Sequence, residues 1–140
     1  MPVPFPSLEF FEALQKRTVE DAAAFEKLGY CDTIFGVRIG DDLYSVRFEV
    51  YDCVEVKAVG DSAGLDFVLA AAPAVWKQMI ESIVSNQGAD ASQTLNTLSH
   101  VGDVMSVEYE DAEGHDCFYR FMATIQEFFD QARYVDVELG

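Results

Sequence analysis

Between Thr33 and Ala70 the apolar residues recur mostly at every second position, in short runs separated by polar turns. This period of two constrains the fold more than any other feature, because it demands a sheet with one buried face. In "TIFGVRI", Phe35, Val37 and Ile39 share a face; in "LYSVRFEV", Tyr44, Val46, Phe48 and Val50 alternate with Ser45, Arg47 and Glu49. "CVEVKAV" sets Val54, Val56 and Ala58 opposite Glu55 and Lys57, and "LDFVLA" reads as a fourth strand. The joining stretches "GDD" and "GDSAG" are turn-like, so an antiparallel meander with one polar face is expected. Such a sheet needs a second layer over its apolar face.

That layer is visible on both sides of the block. Ser7 is a fit N-cap for a helix whose apolar positions are Phe11, Leu14, Ala22 and Phe25. Thr18 with Asp21 is suited to restart it as a second helix, and Gly29 to stop it. Helical spacing returns in "APAVWKQMIESIVS", with Pro73 in the first turn and Val75, Trp76, Met79, Ile80, Ile83 and Val84 on one stripe. Asp90 and Gln93 have capping-box spacing and open a short helix carrying Leu95 and Leu98. A fifth strand, "VGDVMSVEY", places Met105, Val107 and Tyr109 on one face, and the polar stretch Glu110 to Asp116 reads as a loop. From Cys117, the residues Phe118, Phe121, Met122, Ile125, Phe128, Phe129 and Ala132 fall within an arc of about 120° on a last helix.

Residues 7–132 are therefore expected to form a single α+β domain: a five-stranded, largely antiparallel sheet with one face covered by helices. Residues 1–6 and 133–140 are expected as terminal tails. Half of the 140 residues are hydrophobic, which suits one packed core. No apolar run reaches the roughly 18 residues of a membrane span, and "MPVPFPSLEF" lacks the basic-then-apolar pattern of a secretory signal. The three cysteines lie far apart without a C-x-x-C, so buried, inert thiols and a reducing, cytoplasmic setting are expected. The net charge of −16, with no cluster of Lys or Arg, argues against nucleic acid and anionic membranes as partners.

The order of elements, with "GVRIGDDLYSVRFEVYDCVEV" for the strands and "LDFVLAAAPAVWKQMIESI" for strand to helix, resembles the sterol carrier protein 2-like family. The short helix "ASQTLNTL" and the later Gly102–Asp103 pair also fit that pattern. The resemblance spans roughly residues 7–132. It implies an apolar cavity between sheet and helices that takes up fatty acyl chains, acyl-CoA or sterols, usually without catalysis. On this chain Phe35, Phe48, Phe67, Trp76, Met79, Met105, Phe121, Met122 and Ile125 are the candidate lining residues. The chain departs from the family at "NTLSHVGD", where a basic strand is expected but no Lys or Arg occurs. An uncharged lipid, sterol or terpenoid is therefore favoured over a phosphate-bearing ligand.

Other chemistry has weaker footing. His100 and Asp66 are candidates for proton transfer in a small cavity isomerase or hydratase, Asp66 because Leu65 and Phe67 set it beside a buried face. His100 and His115, with nearby carboxylates, lack metal-ligand spacing, and no metal or cofactor is expected. "GDSAG" matches a nucleophile elbow by letters but not by strand-turn-helix context. The stretch "YVDVEL" alternates and could pair with a sheet edge, which leaves an interaction module or homodimer open. The aromatic and methionine side chains named above serve equally as an ordinary core or as a cavity wall.

Overall fold

The computed structural model describes residues 2–88, 94, 95, 98, 99, 104–109 and 112–139. In chain order the elements are β1 (Val3–Phe5), α1 (Leu8–Glu20), α2 (Ala22–Leu28), β2 (Thr33–Ile39), β3 (Asp42–Glu49), β4 (Asp52–Val59) and β5 (Phe67–Ala71). There follow α3 (Pro73–Asn86), β6 (Met105–Glu108), α4 (Ala112–Asp130), a 3-10 turn (Gln131–Tyr134) and β7 (Val137–Leu139). The five-stranded sheet has the order β4-β3-β2-β5-β6. Pairs β2–β3, β3–β4 and β5–β6 are antiparallel, whereas β2–β5 is parallel.

The expected architecture holds, but the four-strand meander does not. After β4, at one edge, the chain crosses the sheet and lays β5 on the far side of β2. The crossing stretch runs over the face away from the helices, and Leu65 lies directly above Gly36 of β2. A methyl at Gly36 would stand 2.8 Å from Leu65 Cδ1 and 3.0 Å from Val68 Cγ2. "GDSAG" is therefore a crossover and no tight hairpin, and its Ser62 is exposed. The outer face is not wholly polar, since Leu43 and Val68 are buried there. Strand β5, "FVLAA", is interior and lacks polar alternation, as expected of a strand flanked on both faces.

A bulge where Arg47 and Phe48 meet β4 explains a second departure. Phe48 pairs with Cys53 and Arg47 with Glu55, so Val54 is the extra residue. Cys53 is thereby buried, while Val54 is turned out and 42% exposed. Val50 has left the apolar face too: it sits in the β3–β4 turn with φ of 63°.

Ser7 caps α1 as expected, its hydroxyl oxygen accepting from Phe10 N–H at 3.1 Å. The break before α2 falls at Asp21 and not at Thr18, whose hydroxyl instead donates to the Gln15 carbonyl at 2.7 Å. Helix α4 begins at Ala112, inside the stretch expected as a polar loop. Its Gly114 explains how: a side chain there would strike the Asp66 backbone carbonyl, so only glycine lets the helix approach the sheet so closely. The ends are not free tails, because β1 and β7 pair in parallel, Val3 with Val137 and Phe5 with Leu139. Leu95 and Leu98 are buried. Asp90, Gln93, His100, Gly102 and Asp103, and the side chain of His115, lie outside the described residues.

Candidate functional site

The inner face of the sheet and the stripe of α4 build one aromatic layer. Phe35 and Phe67 occupy the same register across the parallel pair and stack at 5.6 Å with their planes 6° apart. Phe128 of α4 stands edge-on to Phe35 at 6.4 Å and to Phe48 at 5.6 Å. Phe129, next along, meets Trp76 of α3 at 5.4 Å and Phe11 of α1 at 6.4 Å. Phe118, nearly three turns earlier, closes over Phe67 at 5.7 Å. Edge-to-face contacts of this kind add specificity to the ~1.5–3 kcal/mol that burying each large apolar side chain contributes.

The nine candidate lining residues all belong to this core or pack against it. Phe35, Phe48, Phe67, Trp76, Met79, Met105 and Ile125 are buried, each at most 2% exposed. Phe121 and Met122 differ: they sit on the rim of the same core and are half-buried. Arg120 places its guanidinium 5.8 Å from the Phe121 ring centre. The Gln126 side-chain oxygen accepts from Leu95 N–H at 2.8 Å, which ties the segment around Leu95 to α4. Trp76 is fixed independently, its indole N–H donating to the Arg38 backbone carbonyl at 2.9 Å.

No charged side chain belongs to the buried set among the described residues; its polar members are Thr18, Thr33, Ser45, Ser82, Thr124 and Gln131. Asp66 is half-buried but stands apart from the aromatic layer. Its Oδ2 accepts from the Thr33 hydroxyl at 2.6 Å and from Ile34 N–H at 3.1 Å, fastening the crossover to the start of β2. Among the described residues, no group of three or more His, Cys, Asp or Glu side chains is arranged to hold a metal. Burial pushes the Cys31 and Cys53 thiols up to about 12, and Asp32 adds to the effect at Cys31. Burial also raises Cys117, with Asp66 reinforcing it. Among the described residues, no helix is long and apolar enough to cross a membrane.

Two surface recesses open elsewhere. One, of about 110 Å³, is bounded by Leu65, Val68, Glu108 and Tyr109. A larger groove of about 440 Å³ runs past Ile34, Arg47, Gly64 and Asp66. Among the sequence-based candidates, Phe67 borders the smaller recess, and Phe48 and Asp66 border the larger groove.

Sequence reading also missed the polar joint between α1 and the end of α4. Gln131 is fully buried, donates to Asp21 at 2.9 Å and to Glu127 at 2.9 Å, and accepts from Arg17 at 3.2 Å. Arg17 and Arg133 each place a guanidinium 4.6 Å from the centre of the Tyr134 ring. A glutamine on the flank of an aromatic stripe gives no local sign of such a role.

The fold is similar to that of two solved structures. A crystal structure of sterol carrier protein 2 superposes with a TM-score of 0.67 at 15% identity, covering 91% of this chain and 95% of that one. A conserved hypothetical protein from Thermus thermophilus, described as "possibly sterol carrier protein", gives a TM-score of 0.68 at 16% identity, with 93% and 88% covered. No family model and no curated protein matches the sequence. The chain thus has a sterol carrier protein 2-like fold.

Proposed function

We propose that the chain binds one small, uncharged apolar molecule, a sterol, a terpenoid or a neutral lipid, between the sheet and helices α3 and α4. The observation that carries this reading is the chemistry of the interior. The fold type is shared with sterol carrier protein 2, yet the aromatic layer contains no charged side chain among the described residues to anchor a carboxylate or phosphate. Burying an unpaired charge there would cost several kcal/mol, at least. A molecule that needs no counter-charge fits best.

Phe121 and Met122 mark the point of entry, because they alone among the candidate residues lie at the edge of the core. Methionine and aromatic side chains repack with little penalty, so this rim of α4 can rearrange around a ligand. The bound molecule then takes the place of side-chain contacts that close the layer in its absence.

The test uses Trp76, the single tryptophan. Titration with dehydroergosterol should give saturable energy transfer from Trp76 at one ligand per chain. Phe121→Asp should weaken binding at least tenfold with the melting temperature little changed. If dehydroergosterol and a polyprenyl alcohol both fail to bind, or only a fluorescent fatty acid binds, the reading is wrong.

A further inference from the structure

Most of the buried polar side chains have a partner. Among the described residues, Thr18 donates to the Gln15 carbonyl at 2.7 Å and Thr33 to Asp66 at 2.6 Å. Ser82 accepts from Asn86 at 3.3 Å, and Gln131 holds Asp21, Glu127 and Arg17. Two remain. Ser45, opposite Gly36 on the outer face of the sheet, has a hydroxyl without a partner. Thr124 of α4 is 3% exposed, and its hydroxyl makes no hydrogen bond among the described residues. A threonine inside a helix ordinarily donates back to a carbonyl one turn earlier, as Thr18 does. Valine has the same shape and would fill the position without a hydroxyl to satisfy, so the free protein gains nothing from this one.

Its position on α4 tells what it can meet. At about 100° per residue, Thr124 lies about 60° from Phe121 and about 40° from Phe128 around the helix, one turn from each. Phe128 is locked into the aromatic layer, edge-on to Phe35 and Phe48. Phe121 falls between Phe128 and Ile125 in angle, yet it is half-buried where both of them are fully buried. An orphaned hydroxyl and an incompletely covered ring therefore stand side by side on the apolar face of α4.

From this we infer that Thr124 is a specificity-determining residue, and that the apolar molecule taken up beside Phe121 is an alcohol whose hydroxyl pairs with Thr124 Oγ1. The inference rests on the uptake proposed above and narrows it to sterols and terpenoids that carry a hydroxyl, excluding hydrocarbons and fully esterified lipids. Two hydroxyls suit each other because each both donates and accepts. A carboxylate would gain the same hydrogen bond but give up its hydration with no cation in the layer to offset the loss.

The experiment compares dehydroergosterol and a polyprenyl alcohol, each with its deoxy counterpart, by Trp76 fluorescence in the full chain and in Thr124→Val and Thr124→Ser. The parent should bind an alcohol about three- to tenfold more tightly than its deoxy counterpart, the gain expected of one buried hydrogen bond. Thr124→Val should lose this preference by weakening the alcohol alone, and Thr124→Ser should keep it. Without ligand, Thr124→Val should melt at or above the parent temperature. Equal binding of alcohol and deoxy compound by the parent overturns the inference and leaves the proposed uptake standing, as does a preference that survives in Thr124→Val. A melting temperature lowered by several degrees in Thr124→Val also overturns it, because the hydroxyl would then already have a structural partner. If none of the four compounds binds the parent, the inference falls together with the proposed uptake.

Discussion

The indole N–H of Trp76 is bonded to the backbone carbonyl of Arg38 at 2.9 Å, so the first turn of α3 is pinned to β2 in the middle of the sheet. Trp76→Phe keeps most of the apolar volume but removes the donor. It should lower stability by about 1–3 kcal/mol, the usual cost of orphaning a buried polar partner. Urea unfolding followed by circular dichroism measures this; an unchanged midpoint would show that the bond contributes nothing.

Gly114→Ala should destabilise by about 1–3 kcal/mol, because its methyl must displace the Asp66 carbonyl and lift α4 from the sheet. Gly60→Ala is the control: a methyl there meets nothing within 4 Å. Its melting temperature should stay level or rise slightly, as the unfolded chain loses freedom.

Gln131→Ala removes contacts to Asp21, Glu127 and Arg17 together. The expected loss is about 2–3 kcal/mol, since hydrogen bonds to charged groups are worth more than neutral ones. A double-mutant cycle with Asp21→Ala should show coupling of at least about 0.5 kcal/mol. Strict additivity would mean that the buried amide does not join α1 to α4.

Cys31 and Cys53, held near 12 by burial, should resist iodoacetamide at pH 8 in the folded chain and react fully in urea. The same shift predicts a pH dependence. A folded-state value raised above the unfolded one keeps its stabilisation at low pH. That stabilisation is lost between about pH 9 and 12, at roughly 1.4 kcal/mol per unit per thiol. The urea midpoint should thus fall from pH 8.5 to 10.5, and less steeply in Cys31→Ala. Identical slopes would contradict the assignment.

Much of this fold was legible locally. Phe35, Val37 and Ile39 announced the inner face of β2, and the stripe from Trp76 to Ile83 announced α3, because both patterns repeat within a few residues. What failed was non-local. "FVLAA" carries the signature of a strand buried on both faces, but nothing in it says that β2, and not β4, is its neighbour. The bulge that turns Val54 out and Cys53 in is decided by the fit of two strands. The start of α4 looked like a loop because its first turn is polar and contains glycine, whose function is an approach to Asp66 elsewhere in the chain. The candidate site was legible as a set of buried residues and no further, since a packed core and a cavity wall require the same side chains. The groove past Ile34, Arg47, Gly64 and Asp66 was hidden because it exists only where the crossover meets β2 and β3, a non-local arrangement.

The parallel pairing of β2 with β5 has a consequence for the integrity of the chain. The crossover from Gly60 to Gly64 is exposed throughout, while the strands it connects lie on opposite sides of β2. Cutting it leaves one piece that ends with β4 and another that begins with β5, and neither contains a complete sheet. The two remain stitched along the β2–β5 ladder, and a second time where β1 of the first piece pairs with β7 of the other. A protease that nicks this loop should therefore sever the backbone without parting the molecule, and the two fragments, expressed separately, are expected to reassemble as complementary halves.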